Sequence, residues 1–150
     1  MGPGSIGWFW SIAATDGRTQ SGWCLSLTAR GDADSFSSHF ATDGTFTNIL
    51  GIFFSGRQAF RDRHEAIFRT VFKGSTQTLR LAALRFIRTD VAIADVDATV
   101  RGYAALPEGV SPMPDGTLRT KLLLVLIKEH GDWWITAFHN VAVAPSASKS

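Results

Sequence analysis

The chain has 150 residues, and its 15 Lys plus Arg nearly balance its 13 Asp plus Glu, which leaves a net charge of +2. This length fits one domain with a substantial core, and the singly scattered basic residues lack the clustered stripe of a nucleic-acid-binding protein. The single cysteine excludes an intramolecular disulfide and a cysteine-based zinc site, and this cysteine use fits a reducing cytoplasm.

The first 18 residues are poorly patterned and open with the letters MGPGS, which are typical of a cloning remnant. The apolar run at residues 6–14 is too short to cross a bilayer, and no basic residue precedes it as a signal peptide requires. We therefore predict no membrane partner, a single domain over residues 19–145, and a disordered polar tail over residues 146–150.

Two helices are predicted before the first strand. Apolar residues recur at helical spacing within residues 19–30, and Gly31 is well placed to stop that helix. Asp32 is a suitable N-cap for a second helix, whose apolar stripe extends to Ala41. The turn residues Asp43-Gly44 then end this helix.

A strand pair and a third helix come next. Residues 45–50 and 51–54 are rich in β-branched and aromatic residues, which predicts two strands. The sequence Ser55-Gly56-Arg57-Gln58 matches a capping box and predicts the start of a helix. That helix carries His64 on an otherwise apolar stripe and ends at Gly74.

Four long strands complete the chain. Strand composition covers residues 76–87, 91–103 and 117–128, and a final strand starts near Trp133 as the second arm of a hairpin. The loop at residues 104–116 contains three prolines, so we predict no strand there and a possible lid for a pocket. This order predicts an α+β domain with a curved, mostly antiparallel sheet and about three helices on its concave side, which leaves a conical hollow.

Both faces of the final strand are largely apolar. Period-two alternation assigns Trp133, Ile135 and His139 to one face, and Phe138 and Asn140 to the other. One face would be covered by the helices and the other by a second subunit. Polar groups in such a setting need hydrogen-bond partners or a ligand.

Four segments carry a family resemblance: GDADSF at residues 31–36, DGTFTNILG at 43–51, FRTVFKGS at 68–75 and WWITAFHN at 133–140. Together they resemble the SgcJ/EcaC group of the nuclear transport factor 2-like superfamily, which also holds ketosteroid isomerase, scytalone dehydratase, limonene epoxide hydrolase and polyketide cyclases. The resemblance spans about residues 28–143. It implies a cone-shaped α+β barrel that commonly forms a homodimer through its sheet, but no single reaction. Thr28 departs from the group, which usually has a tryptophan there.

The resemblance also implies that a carboxylate or histidine in an apolar cone moves a proton. Burial brings the pKa of either group toward neutrality, where proton transfer is most effective. The candidates are His139 and Asp97 for proton transfer, His64 on the helix stripe, and Asn48 for orienting a water or a substrate carbonyl. Each candidate also has a structural alternative. For His139 and His64 the alternative is a histidine that is hydrogen-bonded within the fold and has no catalytic role. For Asp97 it is an ion pair with the neighbouring strand, and for Asn48 it is turn formation.

Other chemistries have no motif in the sequence. The four histidines lack metal-binding spacing, and there is no nucleophile elbow and no glycine-rich dinucleotide turn, so we expect neither a metal nor a cofactor. The leading hypothesis is a cofactor-independent enzyme that isomerises, cyclises, dehydrates or hydrolyses a hydrophobic, polyketide-like or polycyclic small molecule. The alternatives are a non-catalytic binding or accessory protein, and a structural dimer module whose cone is filled by Phe46, Phe60, Phe68 and Phe138.

Overall fold

The computed structural model describes residues 27–29 and 37–146. These residues form one mixed, open sheet and one complete helix. In chain order the elements are β1 (Leu27–Ala29), β2 (Phe40–Thr47), β3 (Phe53–Ser55), α1 (Arg57–Arg69), β4 (Thr76–Arg88), β5 (Val91–Arg101), β6 (Leu118–Glu129) and β7 (Asp132–Ala142). The strand order is β1-β4-β5-β6-β7-β2-β3, and every described pair is antiparallel except β2 with β7.

The α+β class and the mostly antiparallel sheet are confirmed, but the prediction of about three helices is wrong for the described residues. Leu27–Ala29 is extended and pairs with β4, although helical spacing placed it inside the first helix. Phe40 and Ala41 already belong to β2, because Phe40 pairs with Ile135 of β7. In both places strand pairing overrides a weak helical preference. Residues 19–26 and 30–36 of these two predicted helices lie outside the described residues, as do residues 1–18 and 147–150.

The four long strands and their hairpin are confirmed to within one or two residues at most ends. The β6–β7 turn consists of His130 and Gly131, with φ of 52° and 86°. Two successive positive φ values give the turn a twist that matches the twist of the flanking strands. Glycine adopts a positive φ without strain. Residues 104–116 contain no strand, as the three prolines predict.

The alternation along β7 is broken in its middle. Ile135 pairs with Leu126 and Ala137 pairs with Val125, so Thr136 is an extra residue on β7. This β-bulge moves every later side chain to the opposite face from the one that simple alternation predicts. Phe138 therefore lies on the same face as Ile135, and both are buried, whereas His139 is exposed. The predicted face assignment is wrong beyond Thr136 for this reason.

We call the face that carries Ile135, Phe138 and Leu124 the inner face, since α1 packs on it, and the opposite one the outer face. Phe60 of α1 stacks on Phe40 with ring centroids 4.1 Å apart and meets the edges of Phe46 and Phe138 at 5.1 and 5.8 Å. Offset and edge-to-face aromatic contacts of this kind add to the free energy of apolar burial. The cluster fixes the position of α1 over β2 and β7.

The start of α1 differs from the capping-box prediction. Ser55 pairs with Thr45 in the sheet, and the N-cap residue is Gly56, which makes no side-chain capping hydrogen bond. Gly56 has φ of 94°, a conformation that favours glycine and turns the chain from β3 into the helix. The helix also ends earlier than predicted, at Arg69, and a turn leads on to Gly74.

Replacing Phe60 by alanine should be strongly destabilising. Its side chain is 1% exposed at the centre of the ring cluster, and truncation of a buried phenylalanine costs about 3–5 kcal/mol. The matched control is Ile87→Ala, because Ile87 is 53% exposed and should change stability by only about 0.5 kcal/mol. Urea unfolding measures both, and similar losses in the two variants would contradict this description of the core.

Candidate functional site

His64 lies on α1 one turn after Phe60 and is buried among aromatic rings. Its imidazole centroid is 4.2 Å from Phe60, 5.4 Å from Phe46 and 5.9 Å from Phe68. The amphipathic spacing of α1 brings Phe60 and His64 to the inner face together. Among the residues that the structure describes as buried, His64 is the only one with a titratable side chain.

The surroundings of His64 favour its neutral form. Its pKa is lowered from 6.5 to about 4, mainly by burial and also by the nearby charge of Arg63, while a hydrogen bond to the Phe60 carbonyl opposes both effects. The Nδ1 atom is 2.7 Å from that carbonyl oxygen, which can only accept. Nδ1 therefore carries the proton, and Nε2 is the unprotonated nitrogen near neutral pH.

Asn48 is buried immediately after β2, and its amide organises the turn into β3. Its Oδ1 atom accepts hydrogen bonds from the backbone N–H groups of Leu50 and Ile52, both at 2.9 Å. This arrangement corresponds to the turn-forming alternative for Asn48. The register that pairs Thr47 with His139 also places Asn48 beside Asn140 at the end of β7.

Asn140 and Thr120 are inner-face residues that are not among the site candidates from the sequence, although the sequence places Asn140 in an apolar setting that requires a partner or a ligand. Leu122 pairs with Asn140 and Thr120 pairs with Ala142, so the two polar residues are diagonal neighbours on adjacent strands. Thr120 interrupts an alternating row of buried leucines on β6, at positions 118, 122, 124 and 126. A polar residue in a row of leucines is the sequence signal that could have identified Thr120 as a site residue, since a buried hydroxyl needs a hydrogen-bond partner.

Asp97 faces outward in the middle of β5, and Asp95 projects to the same outer face, as two-residue spacing predicts. The Asp97 carboxylate forms ion pairs with Lys121 of β6 and Arg80 of β4. The hydrogen bond from Lys121 has the largest effect and, with the Arg80 guanidinium, it holds the pKa of Asp97 below its usual range. This geometry corresponds to the ion-pair alternative for Asp97 and keeps its carboxylate ionised near neutral pH.

His139 is also on the outer face, beyond the bulge at Thr136. It pairs with Leu123 of β6 and Thr47 of β2, and its side chain is exposed. The structure thus separates the sequence candidates: His64 lies on the inner side, with Asn48 buried at the end of β2, while Asp97 and His139 lie on the outer face. The identity of the catalytic residues stays a prediction.

No group of three or more His, Cys, Asp or Glu side chains in residues 27–29 and 37–146 is arranged to hold a metal ion. No helix in the same ranges is long and apolar enough to cross a membrane. The cytoplasmic location stays a prediction.

No protein-family model matches the sequence, and no curated protein matches it. Solved structures do share the fold. A domain of unknown function with a cystatin-like fold from Nostoc punctiforme is 22% identical with a TM-score of 0.65, over 78% of this chain and 68% of that one. A ketosteroid isomerase-like protein from Erwinia carotovora is 14% identical with a TM-score of 0.62, over 77% of this chain and 85% of its own.

A type 2 hexachlorocyclohexane dehydrochlorinase is 14% identical with a TM-score of 0.60, over 77% of this chain and 76% of that one. Other neighbours include cystatin-like and nuclear transport factor 2-like proteins that are uncharacterised or of unknown function. These likenesses show the cystatin-like fold, and they do not extend to the SgcJ/EcaC group.

The lowered pKa of His64 predicts a loss of stability in mild acid. Between pH 6.5 and about 4 the unfolded chain binds a proton at His64 that the native protein excludes, so stability falls as the pH falls through that window. The full difference corresponds to about 3 kcal/mol. We expect His64→Phe to lose less stability than the wild type from pH 7 to pH 4, measured by urea unfolding at several pH values.

The exposed His139 provides the control for this experiment. His139→Phe removes an imidazole from the outer face and should leave the His64-dependent loss in place. If His64→Phe and the wild type lose stability in parallel, the imidazole of His64 is not held neutral by burial.

Proposed function

We propose that the protein is a cofactor-independent enzyme that acts on a hydrophobic small molecule by acid/base chemistry at the inner face. The observation that carries this proposal is His64, a neutral imidazole with a fixed tautomer among the rings of Phe46, Phe60 and Phe68. The aromatic surroundings favour an apolar, polycyclic or polyketide-like substrate. Isomerisation, cyclisation, dehydration and hydrolysis all fit this chemistry, and the finer SgcJ/EcaC resemblance adds a role in secondary metabolism.

The chemistry would proceed through Nε2 of His64. This nitrogen takes a proton from a carbon next to a substrate carbonyl, and the electron pair of the C–H bond moves into the enolate. In the absence of substrate, a pKa near 4 makes the imidazole of His64 a weak base. The negative charge that develops on the substrate raises this pKa in the complex, because an anion close by stabilises the imidazolium. The proton then returns to a different substrate atom.

Two of the structural neighbours support this proposal. One is described as ketosteroid isomerase-like and the other as a hexachlorocyclohexane dehydrochlorinase, and both names are compatible with proton-transfer chemistry on a compact apolar ring. The fold alone does not assign a reaction, since one fold carries many functions. The proposal therefore depends on His64 and its surroundings.

A non-catalytic binding protein is the second candidate. It is favoured by the lack of a second titratable side chain among the described buried residues, since an acid/base pair is the commoner arrangement in enzymes. A binding protein would use the same inner face and the same apolar ligand. The two candidates differ only in whether His64 moves a proton.

We propose further that two copies of the chain associate through the outer face. Leu123 and Val141 are 42% and 61% exposed on β6 and β7, and Phe53 of β3 is exposed on the same face. Several exposed apolar side chains on one face of a sheet are typical of association surfaces. The charged residues around Asp97 would lie at the polar rim of such a contact.

Hydrogen exchange on a simple ketone tests the enzymatic proposal. β-Tetralone is a bicyclic apolar ketone with acidic protons next to its carbonyl, and NMR in deuterated buffer follows their replacement by deuterium. We expect the wild-type protein to accelerate this exchange and His64→Phe to slow it on the order of 100-fold, the usual contribution of a general base.

Asp97→Asn and His139→Gln are the matched controls, because both change outer-face side chains and should retain the exchange rate. Binding of β-tetralone without any acceleration would favour the binding protein. Loss of exchange in Asp97→Asn or His139→Gln, with exchange retained in His64→Phe, would assign the proton transfer to Asp97 or His139 instead of His64.

A charge on the outer face should dissociate the dimer. Val141→Lys places an ammonium on the exposed apolar surface opposite Lys121 of β6, where an unpaired charge is costly to bury. We expect light scattering after size exclusion to give a dimer mass for the wild type and a monomer mass for this variant. Ile87→Lys adds the same charge near the far end of β4 and should remain dimeric, and a monomeric wild type would contradict the proposal.

A further inference from the structure

Small side chains occupy a row on the inner face beside the polar pair of Thr120 and Asn140. Thr120 lies between Ala98 of β5 and Ala142 of β7. Both alanine side chains end at the β carbon and offer Thr120 no hydrogen-bonding group. Thr120 is buried, with 4% of its surface exposed.

The polar pair has two buried oxygen atoms without partners. Within the described part of the chain, neither Oγ1 of Thr120 nor Oδ1 of Asn140 has a hydrogen-bond partner. Leaving a buried polar group unpaired is unfavourable, and most such groups in native proteins are satisfied. Two of them at diagonal positions on neighbouring strands indicate a shared partner.

Comparable residues elsewhere in the structure are satisfied. Thr117, also buried, donates its hydroxyl hydrogen to Oδ1 of Asp115 at 2.6 Å. Asn48, also buried, accepts two backbone hydrogen bonds with its Oδ1 atom. The unpaired oxygens are therefore a local feature of the inner face at Thr120 and Asn140.

We propose that Asn140 and Thr120 together bind a hydroxyl group of the apolar ligand. The amide oxygen of Asn140 can only accept, so the ligand group must donate, whereas the Thr120 hydroxyl can donate in return. One ligand hydroxyl can donate to Asn140 and accept from Thr120, because the two residues are diagonal neighbours on adjacent strands. A ketone or an ether would satisfy Thr120 alone. The inference rests on the proposed apolar ligand site and adds the substrate class, a hydroxylated ring compound.

Two matched probes test this pair. β-Naphthol and its methyl ether are fused apolar rings that differ in whether the oxygen can donate a hydrogen bond. We expect calorimetric titration near neutral pH to give about three- to tenfold tighter binding of the naphthol, the range for one net hydrogen bond. The isosteric variants Asn140→Leu and Thr120→Val should reduce this preference while still binding the ether.

The outcomes distinguish the two proposals. If both probes bind the wild type equally, or if the variants keep the naphthol preference, the inference that the polar pair binds a hydroxyl group is wrong. The proposed apolar ligand site is not affected by this result. If neither probe binds, the apolar ligand site and the polar pair are both overturned.

Stability in the absence of ligand gives a second readout. Asn140→Leu and Thr120→Val remove unpaired oxygens and should leave the melting temperature unchanged or raise it. The controls Asn48→Leu and Thr117→Val remove paired oxygens and should lower it. Equal losses in both sets would show that the oxygens of Asn140 and Thr120 are already satisfied in the free protein, which would overturn the inference.

Discussion

The extra residue at Thr136 is the constraint on which the arrangement of the site depends. Side chains alternate between the two faces of a strand, so one inserted residue exchanges the faces of everything beyond it. Because of this bulge, Phe138 reaches the ring of Phe60 and closes the core under α1. The same exchange brings Asn140 to the inner face and sends His139 to the outer one.

The two faces of the sheet give titratable groups opposite surroundings. On the inner side, aromatic rings exclude water from His64, and desolvation dominates its pKa. On the outer face, the ionised form of Asp97 is stabilised by Lys121 and Arg80. Both groups have lowered pKa values, but only the surroundings of His64 combine apolar contacts with a neutral basic nitrogen. This difference is the physical reason for assigning the proposed chemistry to the inner face.

The polar residues of the described core fall into two groups. Asn48 and Thr117 use their oxygens to stabilise turns, whereas those of Asn140 and Thr120 have no partner within the described residues. A protein that keeps unpaired buried oxygens sacrifices some stability, and such positions are commonly found at binding sites. The location of the pair on the same inner face as Phe138 connects it with His64 in one proposed site.

The sequence by itself determined the four long strands, the hairpin at Gly131, the helix that carries His64 and the α+β class, because each depends on local composition and spacing. It also put Asn48 at the end of a strand. The tertiary structure alone decided that Phe40 begins a strand, that Asp97 and His139 face outward, and that Thr120 and Asn140 are neighbours. These features depend on strand pairing and on a single bulge. Strand pairing brings together residues that are distant in sequence, and such contacts leave no periodic signal in the chain.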